Sequence, residues 1–102
     1  MFSVQLYRMA FYVYIIHSAK DESFYKGFTE NPTSRLIQHN NGESKYTSLK
    51  IPWRFVYLEE MPSKKSALIR EKVLKKYSHA QIHQLIGSQM NGISKILNHS
   101  AG

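Results

Sequence analysis

Three short runs of aromatic and β-branched residues stand out along the chain, separated by polar stretches. The first, residues 11–17, is apolar at successive positions, which is typical of a strand that is covered on both faces. The second, residues 24–29, follows a short polar connector, so the two runs predict a β-hairpin. The third, residues 53–58, follows Pro52. The pattern therefore predicts three strands.

Helix signals fill the intervals between these runs. Asn31 caps a first turn that begins with Pro32, whose missing N–H costs nothing at that position. This helix is expected to run to about Asn41 and to end at Gly42.

Two further helices are predicted after the third strand. Ser63 is placed to cap one of them, and residues 78–81 form a capping-box pattern for a shorter helix that ends near Ile86. Residues 93–97 add one weak helical turn. The longer helix is expected to present one broad apolar face, formed by Ala67, Ile69, Val73, Leu74 and Tyr77.

The order strand-strand-helix-strand-helix-helix predicts an α/β (α+β) fold with a small three-stranded antiparallel sheet. Helices flank this sheet because they are the only remaining elements that can cover its apolar faces. The 102 residues have room for one domain. We expect an N-terminal extension over residues 1–10, the domain over 11–86 and a C-terminal tail over 87–102.

Composition excludes several kinds of site and location. The chain has no cysteine, so disulfides, thiolate zinc sites and cysteine nucleophiles are excluded. The longest apolar run, which ends at Ile16, is too short to span a bilayer. No secretory cleavage pattern follows it, and we expect a cytoplasmic protein without a membrane partner.

The charge of the chain favours a polyanionic partner. Fourteen Lys and Arg face seven Asp and Glu, which gives a formal net charge of +7 at pH 7. Such a protein attracts phosphate backbones because binding releases condensed counterions. Charge alone leaves a second interpretation equally open, in which the basic residues serve only solubility.

Two short motifs in the predicted hairpin carry a family resemblance. Residues 12–14 (Tyr-Val-Tyr) and 25–27 (Tyr-Lys-Gly) resemble the paired GIY and YIG motifs, and residues 34–40 continue the pattern in the first helix. Further matches are residues 45–47, 52–53 and 70–72. Over about residues 11–86 the chain thus resembles the GIY-YIG nuclease superfamily, in its short stand-alone bacterial branch. It is also similar to the N-terminal catalytic domain of the nuclease component of excinuclease ABC.

The resemblance implies a role for each of five residues. Tyr14, assisted by His39, is expected to activate the attacking water, and Tyr25 to hold the phosphate or its hydration. Arg35 is expected to bind the phosphate, a role that suits its planar and permanently charged guanidinium. Glu71 is implied as the only protein ligand of a single Mg²⁺ (or Mn²⁺) ion, which keeps most of its water.

The residues by themselves leave simpler interpretations open. Tyr14 and Tyr25 fit core aromatics that keep a hydroxyl near water. Arg35 and His39 share a helix face at i,i+4 spacing without needing a role. Glu71 fits a glutamate that relieves repulsion among neighbouring lysines, although it lies at the border of the apolar face.

We expect the partner to be nucleic acid, DNA in preference to RNA, with Lys26, Arg35, Lys45 and Lys75 along its backbone. Because the chain has no room for a separate recognition domain, a protein partner or the shape of the substrate would supply specificity. Arg70, which projects into the apolar arc, is expected to be paired and structural.

The leading functional prediction is a metal-dependent nuclease that hydrolyses phosphodiester bonds. The alternative is a nucleic-acid-binding module of the same fold with weak or no cleavage. Tyr12, Lys26 and Phe28 favour this alternative because they differ from the family's motif residues, and His83 stands near the position of a frequent asparagine. A third possibility, an interaction protein without a nucleic-acid role, would make the basic surface incidental.

Overall fold

A computed structural model describes residues 10–101, with side chains up to residue 97. The predicted extension over residues 1–10 therefore lies almost entirely outside the described residues. The strands are β1 (Phe11–Ser18), β2 (Phe24–Thr29) and β3 (Trp53–Met61). The helices are α1 (Pro32–Asn40), α2 (Lys64–Leu74), α3 (His79–Ile86) and α4 (Ile93–Ala101), and a 3₁₀ turn spans Thr47–Lys50.

The three strands form one antiparallel sheet in the order β2-β1-β3, so the predicted fold class is confirmed. The central strand β1 is buried on both sides, as its uninterrupted apolar sequence predicts. Along β1, Val13 and Ile15 enter one core, and Tyr14 and Ile16 enter another. We call the side of Val13 the first face of the sheet and the side of Tyr14 the second face.

Helices cover both faces of the sheet. On the first face, Ala67 and Leu74 of α2 and Ile82 and Leu85 of α3 complete the core. On the second face, Leu36 of α1 and three residues of α4 pack around Tyr14, Ile16, Trp53 and Leu58. The sheet therefore separates α2 and α3, on the first face, from α1, on the second face. Any site that uses side chains of both α1 and α2 must lie at a sheet edge.

The last helix is longer than the local pattern indicates. Residues 93–97 predict one weak turn, whereas α4 has nine residues. Ile93, Ile96 and Leu97 pack on the second face, and the Gly92 N–H donates to the Leu58 carbonyl at 2.7 Å. Short helices gain most of their stability from such tertiary packing, which a local pattern does not contain.

The predicted helix boundaries agree with the capping groups. The Asn31 side chain accepts from the Ser34 N–H at 3.1 Å, and α1 ends one residue before the predicted Asn41. Capping boxes at Ser63 and Ser78 start α2 and α3. Gly42 has φ of +78°, a left-handed conformation that glycine adopts without strain.

The apolar face of α2 differs from the prediction. Ile69 and Val73 are 56% and 42% exposed, so including them in the buried face was wrong. The sheet-facing stripe runs instead through Ala67 and Leu74, and Arg70 and Glu71 occupy its i+3 and i+4 positions. Two charged residues thus stand where a packing helix ordinarily carries apolar ones.

Arg70 is paired, as expected. Its Nε donates to Glu59 Oε1 at 3.1 Å, and the Tyr57 hydroxyl donates to the same oxygen at 2.6 Å. This neutralised cluster fixes α2 against β3. No helix in the described part of the chain is long and apolar enough to cross a membrane.

Candidate active site

The position of Tyr14 depends on a glycine in the neighbouring strand. Tyr14 of β1 lies opposite Gly27 of β2, and its ring lies across the Gly27 backbone on the second face. A Cβ added at Gly27 would lie 2.6 Å from Tyr14 Oη and 2.7 Å from Cζ, closer than real side chains approach. The absence of a side chain at position 27 therefore lets the Tyr14 hydroxyl reach over the edge strand β2.

A buried chain of polar contacts holds this hydroxyl. Tyr14 Oη lies 2.8 Å from His39 Nε2 in α1, and His39 Nδ1 lies 2.7 Å from Thr47 Oγ1 in the 3₁₀ turn. All three side chains are buried. The Trp53 indole N–H donates to the Thr47 carbonyl at 2.9 Å and fixes the turn. Thr47 belongs to the matched segment 45–47, but no sequence signal assigns it a role.

Tyr25 joins this group from the edge strand. Its ring centroid lies 5.2 Å from that of His39 and 6.4 Å from that of Tyr14. Tyr25 is half-buried, so part of its ring faces solvent. Tyr14, Tyr25 and His39 therefore form one aromatic cluster, which we call the tyrosine–histidine cluster.

Arg35 is a half-buried cation whose hydrogen-bond partner is a neutral side chain. It lies one helical turn before His39, and its Nη1 donates to the neutral Gln38 Oε1 at 2.9 Å. Among the described residues, no carboxylate lies within 4.0 Å of the guanidinium. Arg70, in contrast, is neutralised by Glu59. An uncompensated and partly desolvated arginine is a good binding group for an anion such as phosphate.

Glu71 is a mostly buried carboxylate on α2. Its side chain is 17% exposed, and Lys75 Nζ lies 3.5 Å from Oε2. The negative charge of Glu71 also contributes to the raised pKa of Tyr14, less than burial and the neighbouring Tyr25 do. Unlike Arg70, which is paired with Glu59 at 3.1 Å, Glu71 thus has only a distant lysine as its ion-pair partner among the described residues.

The donors present fit a weakly held hard cation. In the described part of the chain, no group of three or more His, Asp or Glu side chains is arranged to enclose a metal ion. A single carboxylate with a loose lysine partner suits a Mg²⁺-like ion, because such an ion retains several waters and uses substrate oxygens as ligands.

Burial sets the protonation of the tyrosine–histidine pair. Burial raises the pKa of Tyr14 to about 12, with smaller contributions from Tyr25 and Glu71, while Arg35 acts in the opposite direction. Burial and then the Arg35 charge lower the pKa of His39 to about 4. Both groups are therefore neutral at pH 7. A phenol in this state accepts a proton poorly unless nearby positive charge stabilises the phenolate.

The three predicted backbone-binding lysines lie in different places. Lys26 pairs with Ile15, so its side chain leaves the sheet on the first face, opposite the cluster. Burial lowers the pKa of Lys26. Lys45 is exposed in the loop before the 3₁₀ turn, and Lys75 is exposed beside Glu71. His83, considered for the asparagine position, packs edge-on against Phe24 of the first-face core.

Comparison with known proteins identifies the family of this chain. The profile of the GIY-YIG catalytic domain matches residues 10–83, the segment that contains every residue of the cluster together with Arg35 and Glu71. The chain belongs to the GIY-YIG family. The resemblance seen in the sequence motifs is thereby confirmed.

Short relatives share nearly their whole length with this GIY-YIG chain. A UPF0213 protein of Clostridium perfringens is 44% identical over 79 residues, which cover 76% of this chain and 84% of the relative. A UPF0213 protein of Syntrophus aciditrophicus is 42% identical over 77 residues, covering 74% and 87%. The solution NMR structure of a UPF0213 protein from Bacillus halodurans has 35% identity and a TM-score of 0.52, covering 80% and 87%.

Gly27→Ala should destabilise this GIY-YIG domain through the Tyr14 ring. The added methyl has to displace a buried ring and break the contact between Tyr14 Oη and His39 Nε2. Overpacking of this kind costs about 1–3 kcal/mol, measurable by urea unfolding. Gly87→Ala is the matched control, because a Cβ there meets its nearest atom at an ordinary 3.8 Å. Equal stability of the two variants would contradict the close approach of Tyr14 to Gly27.

The stability of the protein should depend on pH through His39. Its pKa is 6.5 when unfolded and about 4 when folded, so the unfolded state binds more protons between these values. Stability is therefore full above pH 6.5 and is lost as the pH falls towards 4, by on the order of 3 kcal/mol.

The contribution of His39 to the pH dependence of stability can be isolated by comparing the parent with a variant that lacks the imidazole. Free energies of unfolding for the parent and for His39→Gln, measured at matched pH values from 7 down to about 4, give a difference that removes the other titrating groups. We expect the parent to lose its advantage over the variant within this window. A difference that stays constant with pH would show that His39 does not titrate as its burial implies.

Proposed function

We propose that this GIY-YIG domain is a metal-dependent nuclease that hydrolyses nucleic-acid phosphodiester bonds, with DNA preferred to RNA. The observation that carries the proposal is the Arg35 guanidinium, which has no carboxylate partner among the described residues and lies beside the buried pair Tyr14 and His39. A half-buried cation without an internal anion is stabilised by an anion from outside. A backbone phosphate meets that requirement, and the net charge of +7 attracts it.

The contacts of each residue support a separate role for it in the proposed reaction. Arg35 binds the non-bridging oxygens of the phosphate and offsets the charge that grows on them during attack. The Tyr14 hydroxyl orients the attacking water, and Tyr25 contacts the phosphate or its hydration from the half-exposed side of the cluster. Gly27 leaves room for the Tyr14 ring across β2, and the contact with His39 holds its hydroxyl, so orientation is set before the substrate arrives.

His39 and Thr47 position the Tyr14 hydroxyl. Thr47 Oγ1 lies 3.4 Å from the Ser44 carbonyl, to which it donates a long hydrogen bond. Thr47 is then free to accept from His39 Nδ1–H, which leaves the Nε2 lone pair directed at Tyr14. In this tautomer the phenol proton points at His39, and the phenol oxygen is open to the water.

Glu71 would hold a single Mg²⁺ or Mn²⁺ ion, with waters and phosphate oxygens as the remaining ligands. When bound, the ion supplies positive charge that stabilises the departing oxygen and favours the phenolate form of Tyr14. The loose contact with Lys75 at 3.5 Å supports this role, since the carboxylate gives up little when it exchanges that partner.

The raised pKa of Tyr14 and the lowered pKa of His39 favour a second candidate. Both groups are poor proton acceptors at neutral pH, and Tyr12, Lys26 and Phe28 differ from the family's motif residues. A nucleic-acid-binding module that retains the fold with weak or no cleavage would have these properties.

A cleavage panel separates the two candidates. Single-stranded, duplex, flap and junction substrates, made as DNA and as RNA, are incubated with Mg²⁺, with Mn²⁺ and with EDTA. A nuclease gives products that depend on the metal, with the largest yield on a DNA substrate. Binding of the same substrates without any metal-dependent product would overturn the nuclease proposal and support the binding module.

A further inference from the structure

The loop between α1 and β3 presents apolar surface next to the cluster. Tyr46 is 55% exposed and Leu49 is 72% exposed, although both lie within four residues of the buried Thr47. The Tyr46 ring centroid is 6.0 Å from that of Tyr25, with planes inclined by 31°. Even with Tyr25 in this tilted contact and Lys50 near the ring, more than half of Tyr46 stays exposed to a ligand.

Three rings form a continuous row from the core to the surface. Tyr14 is buried, Tyr25 is half-buried at 6.4 Å from it, and Tyr46 is exposed at 6.0 Å from Tyr25. The row begins at the hydroxyl proposed to orient the attacking water and ends one ring beyond the residue proposed to contact the phosphate. A group stacked on Tyr46 would therefore lie close to the scissile phosphate.

The loop is held in place before any ligand arrives. Lys50 pairs with Asp21 at 3.0 Å and also places its ammonium 5.2 Å from the centre of the Tyr46 ring. Lys20 Nζ donates to the Leu49 carbonyl at 3.1 Å. These contacts tie the loop to the β1–β2 turn, so the exposed side chains lose little conformational entropy on binding.

The chemistry of this surface fits one class of ligand. It combines an aromatic face, an aliphatic neighbour and the exposed cation Lys45, while Lys50 is paired with Asp21. Proteins that bind single-stranded nucleic acids combine the same elements, because bases stack on aromatic rings and cations follow the backbone. A paired base inside a duplex does not expose the face that such stacking requires.

We propose that Tyr46, with Leu49 beside it, stacks an unpaired nucleobase adjacent to the phosphate bound by Arg35. This inference rests on the proposed function and adds a substrate class to it: single-stranded or locally unpaired nucleic acid, in preference to continuous duplex. The shared chemistry is an unpaired base on a phosphate backbone, which both DNA and RNA supply.

The test measures binding without metal, so that cleavage does not interfere. Fluorescence titrations in EDTA compare a single strand and the corresponding duplex, each as DNA and as RNA, with 2-aminopurine as the reporting base. Tyr46→Ser should weaken single-strand binding by about five-fold or more and remove the quenching of 2-aminopurine, because stacking on one aromatic side chain contributes at least ~1 kcal/mol. Duplex binding should change by less than about two-fold, because its paired bases are not stacked on Tyr46.

Two further variants exclude a purely structural effect. Tyr46→Trp retains a stacking face and should keep both the affinity and the quenching, whereas Tyr46→Leu keeps apolar packing against Tyr25 and should lose them. Ile69→Ser is the matched surface control, since Ile69 is equally exposed and lines a separate cavity with Lys72, Val73, Lys76, Tyr77 and Gln81. It should leave binding unchanged.

The outcomes distinguish this inference from the proposed function. Equal losses for single strand and duplex, or no loss with Tyr46→Ser, would overturn the stacking site while metal-dependent cleavage by the parent still stands. Quenching that depends on Tyr46 in a protein without metal-dependent cleavage would support the base site and overturn the nuclease.

Discussion

Glu71→Gln is expected to abolish metal-dependent cleavage while nucleic-acid binding persists or tightens. The amide that replaces the carboxylate is a neutral and weak ligand for Mg²⁺, so the site loses its only proposed protein ligand. Binding should not suffer, because one negative charge leaves a surface that holds phosphates. Cleavage rates at millimolar Mg²⁺ and binding constants in EDTA, measured on the same preparation, give both quantities.

The variant should fold like the parent. Glutamine is nearly isosteric with glutamate, and the ion pair that it loses, to a half-exposed Lys75, contributes at most about 0.5 kcal/mol. Glu43→Gln provides the matched control, because it removes the same charge from an exposed glutamate of the α1–β3 loop. If Glu71→Gln cleaves like the parent, Glu71 is not the ligand, and any activity belongs to another site or to a contaminant.

Tyr14→Phe is expected to remove cleavage and to keep both the fold and nucleic-acid binding. Only a hydroxyl is lost, so the ring still fills its place across Gly27. His39 Nε2 then lacks its partner in a buried position, which should cost about 1–3 kcal/mol of unfolding free energy. Urea unfolding, a binding titration and a cleavage assay report the three quantities separately.

Tyr57→Phe is the control for the stability loss. Tyr57 is also buried, and its hydroxyl also makes a side-chain hydrogen bond, to Glu59 at 2.6 Å on the first face. It should lose comparable stability and retain cleavage. If both phenylalanine variants cleave equally well, Tyr14 has no part in the chemistry; if both lose activity, the loss reflects stability alone.

The fold followed from local patterns because the chain's strand and helix signals agree with one another. The double-sided apolar run of β1 predicts the central strand, and Asn31, Ser63 and Ser78 mark helix starts that the structure confirms. Local patterns did not predict which face of a helix packs on the sheet, because tertiary packing decides it. The face of α2 was predicted from apolar residues alone, whereas the sheet selects the stripe that contains Arg70 and Glu71.

The candidate site was less accessible to sequence reasoning than the fold. Motif spacing named Tyr14, Tyr25, Arg35, His39 and Glu71, and the roles proposed for them come from the family resemblance. The contact between His39 and Thr47 could not be predicted, because the sequence does not show which hydroxyl group lies against a buried imidazole. The alternation of side chains along a strand already places Lys26 and Tyr25 on opposite faces of β2, whatever the register, so Lys26 could have been separated from the cluster by sequence alone.

The two charged residues in the sheet-facing stripe of α2, Arg70 and Glu71, also bear on how this protein could be engineered. Replacing Glu71 with leucine would complete the apolar pattern between Ala67 and Leu74 and would make the helix a better packing element. Under the proposed function, such a change belongs to the mutations that raise thermal resistance while sacrificing activity. A selection for heat tolerance alone should therefore drift towards apolar residues at position 71, whereas a selection that also requires cleavage should keep the acid. The two selections would separate the demands of folding from those of chemistry at a single residue.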